Sequence, residues 1–240
     1  MHPVSQEKGI LYLIPSPLGE GEVERVIPSK VMELLASLNL FFAEELRTVR
    51  RYLSKAGLKG RLDQVRLYEL NEHTTHLEME SYLNMLLEGD NGAIVSEAGL
   101  PAVADPGAGL VAMAHNHNVK VVPLSGPSSL MMALMASGLN GQCFAFTGYL
   151  PVKGAARREK IKSIEKISLQ LGQSQIIIET PYRSQSLFEE LLAVCALGTR
   201  LSVAANITLD DEYIKTKTVA QWRMEHIEIG KRPCVFVLMA

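Results

Sequence analysis

The chain has 240 residues, enough to bury a core in one large domain or two small ones. With 47% hydrophobic residues, 21% charged residues and a net charge of −2, it is no polycation, so any nucleic-acid contact must use a local patch. Its three cysteines, Cys143, Cys195 and Cys234, lie far apart without a Cys-x-x-Cys pair or a Cys/His cluster, which argues against a disulfide framework and against a metal site.

The segment Met1–Lys8 is polar and does not read as a signal peptide. Ile10 to Ile14 is an unbroken apolar run, the pattern of a strand buried on both faces, and Pro15 to Gly21 is the loop after it. Pro28 opens a helix with Val31, Leu34, Leu35 and Leu38 on one face. Leu40 to Ala43 reads as a strand, followed by Glu44, Glu45 and a basic helical segment, Leu46 to Ala56. Val65 to Tyr68 is a third strand, and Met79, Tyr82, Leu83, Leu86 and Leu87 keep helical spacing. Ala93 to Val95 leads into the loop Ser96 to Gly107, where Asp105-Pro106 reads as the cap and first turn of a helix. Val119 to Val122 is another strand, and Pro123 to Ser129 leads into a helix rich in Met and Ala.

The second half differs. Cys143 to Thr147 reads as a strand, Gly148 to Pro151 as a turn and Lys153 to Lys166 as a charged helix. Gln175 to Glu179 is a strand, and Leu187, Phe188, Leu191, Leu192 and Cys195 form one helix face. Leu201 to Ala205, Tyr213 to Thr218 and Cys234 to Leu238 are strands. The expected architecture is two α/β domains, residues 1–122 with a mostly parallel sheet and 123–240 with a mixed one, and a ligand cleft between them. The apolar stretch near Leu130–Leu139 is too short to span a bilayer, so no membrane association and a cytoplasmic location are expected.

No P-loop and no His-Glu-x-x-His motif is present. Instead, proline- and glycine-rich loops follow four predicted strands, at Pro15–Gly21, Ser96–Gly107, Pro123–Ser129 and Thr180–Arg183. Carboxyl ends of strands are where open α/β sheets bind ligands, and small turn-forming residues let backbone approach a ligand closely. Arg47, Arg50, Arg51, Lys55, Lys59 and Arg61, with Lys153, Arg157, Arg158, Lys160 and Lys162, form two basic clusters that are either solvated faces or phosphate contacts.

Pro15-Ser16-Pro17-Leu18-Gly19, Glu44-Glu45-Leu46-Arg47, the Ser96–Gly107 loop, Pro123 to Ser128, Phe144 to Pro151 and Glu179-Thr180-Pro181-Tyr182-Arg183 occur in that order. Together they resemble the tetrapyrrole methylase superfamily of S-adenosylmethionine (SAM) dependent methyltransferases, and within it the small-subunit rRNA ribose 2′-O-methyltransferases. The resemblance implies SAM as cofactor, a homodimer and small-subunit ribosomal RNA as acceptor. It places cofactor contacts at Pro15, Ser96, Glu97, Ala98, Gly99, Ala102, Ser128, Ser129, Thr180, Ala205, Asn206, Pro233 and Cys234. Glu45, Arg47 and Glu179 are the candidates for catalysis, with a helix cap and a solvated arginine as the structural alternatives for the first two. Three stretches depart from the branch. Glu44-Glu45-Leu46-Arg47 stands for acidic-Asp-Thr-Arg, Glu97-Ala98-Gly99-Leu100-Pro101 for Asp-Ala-Gly-Thr-Pro, and Ala205 to Leu209 for Arg-Glu-Leu-Thr-Lys. The chain ends at Ala240, without the further C-terminal segment usual in that branch. A small-molecule acceptor such as a tetrapyrrole, or SAM binding without turnover, are the alternatives these departures leave open.

Overall fold

The computed structural model describes residues 7–240, so most of the polar N-terminal segment lies outside it. The chain divides into two compact units, the first running to Pro127 and the second spanning Ser128–Ala240.

The first unit alternates strand and helix: β1 (Ile10–Ile14), α1 (Ser29–Ser37), β2 (Leu40–Ala43), α2 (Leu46–Leu53), β3 (Arg66–Glu69), α3 (His76–Leu87), β4 (Gly92–Val95), α4 (Ala108–Asn116) and β5 (Lys120–Pro123). The strands form one sheet in the order β3-β2-β4-β1-β5, with every pair parallel. Their short apolar runs follow from burial on both faces. One core packs Phe41, Ala43, Ala93 and Val95 against α1 and α2, and the other packs Leu40, Phe42 and Ile94 against α3 and α4. A parallel sheet places all its strand carboxyl ends on one edge. That edge therefore carries Pro15, Glu44, Leu70, Ser96 and Leu124.

The second unit contains α5 (Ser129–Ser137), β6 (Phe144–Tyr149), α6 (Gly154–Leu171), β7 (Ser174–Glu179), α7 (Ser184–Val194), β8 (Arg200–Ala205), β9 (Tyr213–Thr218), α8 (Val219–Trp222) and β10 (Cys234–Met239). The sheet order is β6-β7-β10-β8-β9, with only β6–β7 parallel, so the sheet is mixed. Its core gathers Ile177, Phe188, Val203, Trp222 and Phe236, and the Trp222 indole N–H donates to the Leu201 carbonyl at 2.8 Å.

Three local expectations are corrected. Gly148 and Tyr149 are not a turn: a bulge between Phe146 and Gly148 lets β6 continue, with Gly148 at φ 71°. The basic helix after β2 stops at Leu53, and a wide turn, Ser54–Leu58, follows with Gly57 at φ 99°. The helix after the Ser96 loop begins at Ala108, not at Asp105-Pro106, and its N-cap is Gly107 at φ 116°.

Candidate functional site

The Ser96–Gly107 loop leaves the end of β4 and is tied at once to the loop after β1. Ser16 and Gly99 exchange backbone hydrogen bonds of 2.8 and 3.1 Å, and the Ser16 hydroxyl donates to the Ser96 carbonyl at 2.8 Å. The Tyr52 hydroxyl donates to the Pro15 carbonyl at 2.9 Å. A Cβ on Gly126 would lie 2.3 Å from the Pro15 ring, so only glycine admits the loop after β5 here. Pro15, Ser96 and Gly99 are thus brought into one rigid cluster. Glu97 and Ala98 are exposed beside it, and the Glu97 N–H donates to the Glu44 carboxylate at 3.0 Å.

Beyond Gly99 the chain is held in unfavourable backbone geometry. Ala102 and Ala104 have φ of 63° and 61°, the left-handed region that costs a residue with a Cβ about 1 kcal/mol or more. Such strain persists only where the surroundings enforce it, and it is concentrated at functional sites. Here it re-aims Asp105. Freed from capping α4, Asp105 lines a cavity of about 730 Å³ together with Glu44, Asn71, His73, Thr74 and Ala104. Burial, then the negative charge of Glu44, pushes the Asp105 carboxyl up to about 7, with Glu97 adding to the rise and the Ser96 hydroxyl opposing it.

The loop after β3, which the sequence left unassigned, supplies the facing wall. Asn71 organises it: its side chain accepts from the His73 N–H at 2.8 Å, while its own N–H donates to the Thr74 hydroxyl at 2.9 Å. A capping box between Thr75 and Glu78 then starts α3. The signal was available in Asn71-Glu72-His73-Thr74, a polar cluster directly after a strand, like the four loops that were singled out.

Glu45 and Arg47 lie at the start of α2. Glu45 caps α2, accepting from the Arg47 and Thr48 N–H groups at 3.0 and 2.6 Å. Its hydrogen bonding with Thr48 and then with the Arg47 N–H holds its carboxyl below the ordinary value. Arg47 is exposed. Glu179, at the end of β7, turns its carboxylate to the Thr180–Arg183 loop. Its side chain is fully buried, bound through Oε1 to the Arg183 guanidinium at 2.7 and 2.9 Å and to the Thr180 N–H at 2.8 Å, while Oε2 has no hydrogen-bond partner.

Within the second unit, strand register gathers the other expected cofactor residues at one sheet edge. Cys234 pairs with Glu179 on one side and Ala205 on the other. Thr180, Asn206 and Pro233 are therefore neighbours of that row, and the Asn206 N–H donates to the Pro233 carbonyl at 3.0 Å. Asn206 sits at φ 49° with its amide donating to Asp211 at 2.7 Å. The Cys234 thiol, pushed up to about 12 by burial, is an inert apolar group. Ser128 caps α5 and Ser129 begins it. Among the described residues no group of His, Cys, Asp or Glu side chains is suited to hold a metal, and no helix is long and apolar enough to cross a membrane.

Several residues of the basic clusters are engaged within the fold. Arg157 is buried between α6 and α7, paired with Glu190 and donating to Ser186 at 3.0 Å, so it is no phosphate contact. Arg61 donates to Ala36 and Asn39, and Arg51 pairs with Glu20 at 3.3 Å.

The chain is thus a two-unit α/β protein, a parallel unit followed by a mixed one, with loops suited to a ligand at the strand carboxyl ends. The methyltransferase CobJ has the same fold at a TM-score of 0.62 over 96% of this chain and 94% of CobJ, with 17% identity. The family model for Tetrapyrrole (Corrin/Porphyrin) Methylases matches residues 11–222. The chain belongs to the tetrapyrrole methylase family, as its motifs implied, and is a methyltransferase. Similar relatives are each named ribosomal RNA small subunit methyltransferase I. The Escherichia coli O157:H7 protein is 32% identical over 89% of this chain and 71% of its own length. The Vibrio cholerae protein is 31% identical over 88% and 69%, and that of Micromonospora olivasterospora 34% over 93% and 68%.

Proposed function

We propose that this chain transfers a methyl group from SAM to a ribose 2′-hydroxyl of small-subunit ribosomal RNA. The observation that carries the acceptor is the likeness, near 30% identity over most of the chain, to relatives named for that RNA. Homodimer formation and a cytoplasmic location belong to the same reading.

The residues present fit the cofactor. SAM carries a sulfonium and an ammonium, and the loop expected to meet it is edged by Glu44, Glu97 and Asp105, with no phosphate cradle of the P-loop kind. Pro15, Ser96 to Gly99 and Ala102 would hold it, and the family motifs also assign to it Ser128, Ser129, Thr180, Ala205, Asn206, Pro233 and Cys234. When bound, SAM supplies an electrophilic methyl to a nucleophile aligned with its C–S bond. The chain's own part is orientation: the paired Ser16–Gly99 backbone fixes the loop, and the Glu44 carboxylate fixes the Glu97 peptide.

The test incubates the purified protein and labelled SAM with small ribosomal subunits from a strain lacking this gene, and in parallel with porphyrinogens. Label in 16S-type RNA, resistant to alkaline cleavage at one ribose, is the expected result. Label in the porphyrinogen alone, or SAM binding with label in neither, overturns it. Glu45→Ala belongs in the same series, since unchanged labelling removes Glu45 from the active site.

A further inference from the structure

We propose that the cavity beneath the strained loop is the acceptor subsite of the first unit, and that Asp105 is the catalytic base that takes the proton from the acceptor hydroxyl as it is methylated. The inference rests on the methyltransferase reading above and assigns a role to a residue outside the sites expected from the family motifs.

The cavity is built from the carboxyl ends of β2, β3 and β4, the edge where a parallel sheet presents its ligand. Its wall adjoins the loop expected to hold SAM, because Glu44 both lines the cavity and binds the Glu97 N–H. At about 730 Å³ it has room for a nucleoside-sized group. The Asn71–Thr74 wall offers an amide, an imidazole and a hydroxyl, a set able to hydrogen-bond a sugar and a base edge.

Two left-handed alanines, Ala102 and Ala104, and a glycine N-cap at Gly107 carry the chain past the helix-capping position that Asp105-Pro106 would otherwise occupy. The backbone thus spends stability to turn a carboxyl group into the cavity. The groups facing it are Glu44 from the β2 end and Glu97 and Ser96 from its own loop, while Glu72 and His73 lie across the cavity. Burial first, and then repulsion from the Glu44 and Glu97 carboxylates, raises the proton affinity of Asp105 toward neutrality. A base is most effective when its pKa lies near the working pH, and an alcohol needs one because its proton is lost only in the transition state.

The acceptor oxygen forms a bond to the methyl carbon while the C–S bond breaks and its electron pair stays on sulfur. The hydroxyl proton passes to the Asp105 carboxylate and later to water.

The experiment compares wild type, Asp105→Asn and Glu44→Gln in single-turnover methylation of small ribosomal subunits at saturating SAM, from pH 5 to 9. Calorimetric SAM affinity is measured on each, with carbon-13 NMR of labelled aspartate in the cofactor-free protein. Wild-type rates should rise tenfold per pH unit below about 7 and level above it, and one aspartate should titrate in the same range. Asp105→Asn should lose on the order of 100-fold or more in rate while keeping SAM affinity. Glu44→Gln keeps an oxygen for the Glu97 N–H but removes a like charge, so its rising limb should move to lower pH. A wild-type rate flat with pH, a fully active Asp105→Asn, or an unmoved limb in Glu44→Gln overturns the assignment while leaving the methyltransferase reading standing. SAM binding without methyl transfer to RNA by wild type overturns both.

Discussion

A carboxyl group withdrawn from water beside two other carboxylates costs a protein free energy whenever it is ionised. Asp105 is in that position, and the sign of its effect follows from linkage. Its folded-state pKa, about 7, lies above the ordinary aspartate value, so the folded chain binds the extra proton. The associated stability is fully present below the ordinary aspartate range and is lost as pH rises through about 7. Asp105→Asn should therefore melt at the same temperature as wild type near pH 4 and at a higher one at pH 8. After discounting for partial exposure the gain is on the order of 1–2 kcal/mol, read by thermal denaturation at the two pH values. A variant that is more stable yet slower is the signature of a functional charge. Nothing in the sequence disclosed this. Asp-Pro before an apolar run is a good helix start, and only the left-handed geometry of Ala102 and Ala104 removes Asp105 from it.

Among elements, the join between α6 and α7 is the place where a surface reading failed. Arg157 sits in a stretch of charges that reads as solvated helix, yet its side chain is only 5% exposed and is held by Glu190, whose side chain is 11% exposed. Removing one partner of a buried pair strands the other charge, so Glu190→Ala should cost about 3 kcal/mol in urea unfolding. Arg158→Ala, which removes the 65%-exposed arm of the same carboxylate, should cost under about 1 kcal/mol. The strands were legible because fully buried runs such as Leu40–Ala43 and Gly92–Val95 admit almost nothing but apolar residues. Burial of one arginine within a charged helix was not, since it depends on α7 supplying Glu190 and Ser186, 33 and 29 residues further along. The Ser96 loop stood out as a proline- and glycine-rich turn after a strand, whereas the loop after β3 that lines the same cavity as Asp105 did not, because polar loops are common and only adjacency in the sheet makes this one informative.

For the molecule as a whole, a cofactor that binds only folded protein must raise its resistance to unfolding. SAM at 100 times its Kd should add about 2.7 kcal/mol, and the melting temperature should climb with the logarithm of its concentration. A melting curve indifferent to SAM would remove the cofactor assignment altogether. The same global measurement is where the loop between β4 and α4 becomes consequential for anyone breeding this protein for heat. Alanine and glycine codons differ by one base, and glycine accepts the left-handed conformation of residues 102 and 104 without steric strain, a relief of about 1–2 kcal/mol that exceeds its added chain entropy of about 0.5–1 kcal/mol. A hardier chain is thus a single nucleotide away at either position, and the same step slackens the spring that aims Asp105. Laboratory selection on survival alone would drift toward sturdier, duller catalysts, and any breeding scheme should score turnover alongside heat.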